Sequence, residues 1–174
     1  MNTQALLIID FQNDYLPEGR FPLWNTLEVL RNTNELICDA IEKGIPICLV
    51  QHISLAPAGE AKFFEKDSFG AEICEDILRL CRNAKIIEKQ YADSFYKTQL
   101  EEYLSQLGTK ELLVCGMMTQ NCVTHTVLSK SAEKYRVSIV ADCCTTTDPM
   151  IHHLAINAIS NRVPILSVSN ALKA

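Results

Sequence analysis

Ala5-Leu6-Leu7-Ile8-Ile9-Asp10-Phe11-Gln12-Asn13-Asp14 opens on an unbroken apolar run and closes on acids and amides. A run this short, without alternation, fits a strand buried on both faces, the kind found in parallel sheets covered by helices. The pattern repeats outward from it. Asn25 to Lys43 carries Leu27, Leu30, Asn34, Ile37 and Ile41 at helical spacing and meets Gly44, a residue suited to closing a helix. Ile45 to Val50 reads as the second strand. Ile73, Ile77, Leu78 and Cys81 return to helical spacing before a third strand, Lys85 to Glu88. Thr98 to Leu107 is a helix closed by Gly108, Glu111 to Cys115 a fourth strand, about Asn121 to Tyr135 a helix, and Val137 to Ala141 a fifth strand. The last helix starts near Pro149, a residue tolerated in a first turn, and Pro164 to Val168 is the sixth strand. This alternation predicts an α/β fold, a three-layer α/β/α sandwich with a six-stranded mostly parallel sheet, in a single domain over residues 1–174.

The 174 residues suffice to bury roughly two thirds of the unfolded chain's surface. A net charge of −5 leaves no basic surplus for phosphate backbones or anionic lipid, so no nucleic acid and no membrane partner is expected. The start, Met1-Asn2-Thr3-Gln4, has neither the basic stretch nor the long apolar core of a signal peptide. Eight cysteines are scattered through apolar segments with no CxxC pair, which fits small buried hydrophobes in a reducing cytoplasm better than disulfides or structural zinc.

Parallel α/β sheets bind ligands beyond the carboxyl ends of their strands. Asp10 ends the first strand, Lys89 the third, and Cys122 lies just past the fourth, after the turn Gly116-Met117-Met118-Thr119-Gln120-Asn121. Singly, each has an ordinary explanation as a capping acid, a solvated lysine or a packed thiol; together they are chemically complementary. A helix N-terminus and an ammonium both favour thiolate, and Asp10 can accept the thiol proton and later activate water. Backbone N–H groups between Met118 and Cys122 are placed to hold a developing oxyanion. His125, three residues beyond Cys122, is a rival partner, but a helix directs it away from that turn. His152 and His153 find no partner in the sequence and fall at the start of the last helix.

The runs Leu6 to Asp14, Glu88-Lys89 with Ser94-Phe95 and Thr98 to Leu100, and Gly116-Met117-Met118-Thr119 with Asn121-Cys122-Val123 and Thr126 resemble the isochorismatase-like cysteine hydrolase superfamily. Val140-Ala141-Asp142, followed by Cys143 and Thr145, matches its next segment. The resemblance implies a catalytic triad of Asp10, Lys89 and Cys122 and a homodimer or larger homo-oligomer. It also implies a cis peptide between Met117 and Met118, and an oxyanion hole from the backbone of Met118 and Cys122. Members that cleave isochorismate lack a cysteine at the nucleophile position, so Cys122 implies C–N hydrolysis of a small amide, carbamoyl or ureido substrate through a thioester-type intermediate. The nicotinamidase branch carries an Asp-x-His metal motif where this chain reads His52-Ile53-Ser54, so no metal and no cofactor is expected.

Substrate contacts are expected from Phe11, Gln12, His52, Phe95 and Met117, with Tyr15, Phe69 and Tyr91 as further candidates for the wall. The irregular residues 53–69, with Pro57 and Gly59, suit a lid. Two other functions compete. One is thiol redox chemistry at Cys122, with Cys143 or Cys144 resolving; the other is a non-catalytic oligomeric binding module.

Overall fold

A computed structural model describes residues 3–172. Strand β1 (Gln4–Ile9) is buried at five of its six positions and is flanked in parallel by β2 (Ile47–His52) and β4 (Glu111–Met117). β3 (Lys85–Lys89) lies outside β2, while β5 (Arg136–Thr145) and β6 (Ile165–Leu166) extend the other side. The resulting order, β3-β2-β1-β4-β5-β6, is parallel throughout and reverses its winding between β1 and β4. With helices in the crossovers this is a three-layer α/β/α fold. The reversal opens a crevice at the strands' carboxyl ends, where Asp10 follows β1 and the Cys122 turn follows β4.

The elements differ from the sequence reading in instructive ways. α1 (Thr26–Glu42) buries Val29, Leu30, Thr33, Leu36, Ile37 and Ala40, whereas Leu27 and Ile41 are 60% and 51% exposed. Thr33 lets the stripe turn, because its hydroxyl donates to the Val29 carbonyl inside the helix and needs no other partner. Gly44, at φ +63, ends the helix as expected. β2 runs two residues later than the reading, because the Pro46 carbonyl already accepts the Leu6 N–H and brings the strand into register from there. That shift sets His52 directly beside Lys89 across β2 and β3.

α2 (Glu75–Leu80), α3 (Leu100–Gln106) and α5 (Pro149–Ile159) fall where helices were expected, and Asp148 caps α5 by accepting the Met150 N–H. The long helix expected over 121–135 does not form. A single π-turn at Thr119–Val123 leads into a one-turn α4 (Thr124–Val127) and a 3-10 turn at Lys130–Lys134. β-branched Val123, Thr124, Thr126 and Val127 disfavour a longer helix; Thr124 donates back to the Thr119 carbonyl and Ser129 starts a separate turn by accepting the Ser131 N–H. A short α6 (Val168–Ala171) closes the chain's described part. Gly116 is required where β4 shifts register against β5: at φ +126, a Cβ there would lie 2.1 Å from the Ile9 carbonyl oxygen.

Candidate active site

Asp10, Lys89 and Cys122 meet at the crevice and are each at most 2% exposed. Asp10 leaves β1 at φ +55, a region that Asp tolerates, with its N–H held by the Val50 carbonyl. Lys89 closes edge strand β3, whose alternation turns Ile87 and Lys89 inward. Cys122 is carried by the π-turn, which Thr119 ties to α5 through a 2.9 Å contact between its hydroxyl and His152 Nδ1. Thr126 bonds Ser94 twice and fixes the loop after Lys89 against the same turn.

The ammonium of Lys89 stands at the centre. Its Nζ donates to Cys122 Sγ at 3.2 Å, to the Tyr91 carbonyl at 3.2 Å and to His52 Nδ1 at 2.9 Å. Asp10 Oδ2 is 2.9 Å away as a charge contact, without hydrogen-bond alignment, and Oδ1 has no hydrogen-bond partner among the described residues. The ligand-capable atoms of Asp10, His52 and Cys122 lie within 4.8 Å of one another. Burial pushes the Cys122 thiol up to about 12, the Asp10 charge adds to this, and Lys89 opposes it. The four-residue α4 and one ammonium, which favour thiolate, are set against desolvation and a neighbouring carboxylate, which favour the thiol, so the proton that Asp10 is expected to accept stays on sulfur until a substrate arrives. Burial works against charge on Lys89 too, but Asp10 and Cys122 together hold it above its ordinary value.

The expected substrate contacts divide. Phe11 and Met117 are buried beside Asp10 and at the end of β4, and the Met117–Met118 peptide is cis. Gln12 has other work. Its amide donates to the carbonyls of His52 at 2.8 Å and Ala71 at 2.6 Å, and accepts the His52 N–H at 2.7 Å, so it braces backbone and has no donor left for a ligand. His52 turns its Nδ1 to Lys89 and is pushed down to about 4 by burial, then by Lys89, against Asp10. Phe95 stacks on Tyr135 at 6.0 Å. Of the other candidates, Tyr15 is buried close enough for Asp10 and Cys122 to raise its phenol further above the ordinary range than burial alone, whereas Phe69 is 75% exposed and Tyr91 packs edge-on against Tyr96. His125 is exposed, with Nδ1 at the Asn121 carbonyl, as the sequence suggested. Cys143 is fully buried and Cys144 donates to the Val140 carbonyl.

From residues 53–69, Phe63 and Phe64 pack against Tyr15, and Phe64 also lies beside His52. Phe64 is fully buried, with its ring 4.4 Å from that of Tyr15 and 5.9 Å from His52. Its N–H donates to Asp14 Oδ2 at 2.6 Å and its carbonyl accepts from Ser54. Phe64 sits at φ +57, so this packing holds a bulky residue in a region it disfavours. Asp14 and Phe64 escaped the sequence reading: the segment has no periodicity, and the one signal was the unexplained acid of the Asp10 to Asp14 run. A groove of about 640 Å³ lies between Asn13, Leu16, Arg20, Leu27 and Phe69, and none of the three buried groups lines it.

The isochorismatase domain family matches residues 4–169. An uncharacterized isochorismatase family protein of Bacillus subtilis is 39% identical over 145 residues, 83% of this chain and 79% of that one. Nicotinamidase 3 of Arabidopsis thaliana is 26% identical over 85% of this chain and 76% of its own length. Among solved structures, a putative isochorismatase hydrolase from Oleispira antarctica superposes with a TM-score of 0.89 at 26% identity, covering 99% of this chain and 97% of that one. A pyrazinamidase of Pyrococcus horikoshii in complex with zinc shares the fold with a TM-score of 0.79 at 24% identity, over 95% of this chain and 99% of that one. Members of this family hydrolyse amides, and this chain belongs to the isochorismatase-like hydrolase family.

Proposed function

We propose that the chain is a metal-independent cysteine amidohydrolase acting on a small amide, carbamoyl or ureido group. One observation carries the reading: a fully buried carboxylate oxygen, Asp10 Oδ1, has no hydrogen-bond partner among the described residues, and its carboxylate lies beside a thiol that burial keeps protonated. An orphaned buried acceptor next to an un-ionised nucleophile is what a general base requires. Cys122 Sγ attacks the substrate carbonyl carbon as its proton passes to Asp10. The oxyanion is received by the backbone N–H groups of Met118 and Cys122. As the C–N bond breaks, Asp10 returns the proton to the leaving nitrogen and a thioester remains. Asp10 then takes a proton from water as it attacks the thioester, and the thiol leaves reprotonated. Lys89 steadies the sulfur and the carboxylate through both halves. Phe11, Met117, Tyr15 and Phe64 supply an apolar, aromatic wall suited to a small flat amide.

A divalent cation does not fit at the centre of this arrangement. Asp10, His52 and Cys122 are a plausible donor set, but zinc needs them at about 2.0–2.3 Å, and the Lys89 ammonium stands among them at 2.9–3.2 Å. Its charge and volume occupy the place a metal would take. The eight cysteines, all unpaired, favour a reducing, cytoplasmic setting. Among the described residues no helix is long and apolar enough to cross a membrane. Exposed Leu27, Met150 and Leu154 suit a homodimer or larger homo-oligomer, which light scattering will report.

The test is ammonia release from a panel of small amides and ureido compounds, with and without chelator. Turnover that is lost in Cys122→Ala and insensitive to chelation supports the reading. Chelator-sensitive turnover sinks metal independence, and turnover retained in Cys122→Ala sinks the nucleophile.

A further inference from the structure

We propose that His52 is a positioning residue: its neutral imidazole fixes the rotation of the Lys89 ammonium so that one N–H points at Cys122 Sγ and none is spent on Asp10. This rests on the reading of Cys122 as nucleophile. An ammonium has three hydrogens, and four acceptors surround this one. Three receive hydrogen bonds: His52 Nδ1, the Tyr91 carbonyl and Cys122 Sγ. Asp10, although its Oδ2 is as near as His52, receives none in good alignment. Two fixed acceptors, one side chain and one backbone carbonyl, therefore determine where the third hydrogen goes. The carboxylate keeps its lone pairs for the thiol proton while still feeling the positive charge.

The rest of the site is built to hold that ring. His52 ends β2 in register with Lys89, and Gln12 clamps its N–H and its carbonyl together. Phe64 covers the ring. Nδ1 can accept only while unprotonated, which places the remaining proton of the neutral ring on Nε2. The charges facing it are Lys89, which disfavours protonation along with burial, and Asp10, which weakly favours it. Remove the Nδ1 acceptor, and the ammonium turns its freed hydrogen to Asp10 Oδ2. The base is then hydrogen-bonded and the alignment on sulfur is lost.

Alkylation by iodoacetamide, itself a small primary amide, reads this without turnover. The labelled Cys122 peptide is followed by mass spectrometry from pH 6.5 to 9 in wild type, His52→Leu, His52→Gln and His52→Asn. Asn sets a carbonyl oxygen close to the Nδ1 position; Gln sets its own one bond farther out. With Asp10 free as an internal base, wild type and His52→Asn should label at rates that vary less than about threefold over this range. In His52→Leu and His52→Gln the thiol must lose its proton to solvent, so the rate should be lower at pH 7 and climb about tenfold per pH unit. Labelling of fully buried Cys115 in the same digest reports unfolding; if Leu unfolds, the Gln variant decides. A flat profile in every variant overturns the proposal, and so does a steep one in His52→Asn, which would mean that the ring matters only as packing. If wild-type Cys122 itself labels steeply and no faster than exposed Cys38, the nucleophile reading fails, and the role of His52 with it.

Discussion

Lys89→Met keeps most of the buried stem and removes the ammonium. Lys89 and Asp10 form a 2.9 Å ion pair with no side-chain exposure. Taking away one member of such a pair leaves the other charged and buried, a loss of about 3–5 kcal/mol. Three further acceptors, His52 Nδ1, the Tyr91 carbonyl and Cys122 Sγ, lose their donor at the same time, so a value near 4 kcal/mol is expected. Lys89→Met combined with Asp10→Asn removes both charges and should recover at least about 2 kcal/mol of that loss. Urea unfolding of the four proteins of this cycle at pH 7.5 gives the coupling directly. A loss below about 1 kcal/mol in the single variant, or a double variant no more stable than the sum of the singles, would refute a buried, mutually dependent pair.

Other tests follow from the same contacts. His52 is held near a pKa of 4 by burial and Lys89, against about 6.5 unfolded, so between these values the unfolded chain binds a proton that the native one does not. The stability this group provides is full above pH 6.5 and falls as pH drops to 4, by about 2–3 kcal/mol. The gap between wild type and His52→Asn should shrink by that amount over this range, and a pH-independent gap contradicts it. Phe64→Ala should lower stability by about 3 kcal/mol and speed Cys122 alkylation, because the ring is fully buried over the site; unchanged labelling would remove Phe64 as the cover. At Gly70 a Cβ would fall 2.1 Å from Asp14 Oδ1, so Gly70→Ala should cost about 1–3 kcal/mol and open residues 53–69 to limited proteolysis; unchanged digestion would show that Asp14 does not hold the lid.

Strand ends were legible because apolar runs stop where the first polar residue appears, and in a parallel sheet that is where the chemistry sits. Asp10, Lys89 and Cys122 could be placed together on that ground alone. What escaped depends on register and on partners far along the chain. The start of β2 at Ile47 rather than Ile45 is set by the Pro46 carbonyl pairing with Leu6, and it moves His52 from a loop to the side of Lys89. The exposed face of α1 contains Leu27 and Ile41, which hydrophobicity alone assigns to the core. Gln12 looked free until His52 and Ala71 claimed its amide. The depth of the Cys122 thiol was hidden for the same reason. A sequence shows which charges exist but not how deeply they are buried, and here burial dominates.

The central claim is a covalent bond between Cys122 and the carbonyl carbon of a small amide. Its most direct test is intact mass with peptide mapping after mixing wild type and Cys122→Ala with a turned-over amide and with an electrophilic amide analogue. The account predicts an acyl or analogue adduct on Cys122 alone, formed with matching ammonia release from the substrate, and neither in Cys122→Ala. An adduct on another residue, or ammonia release that survives loss of the thiol, would contradict it.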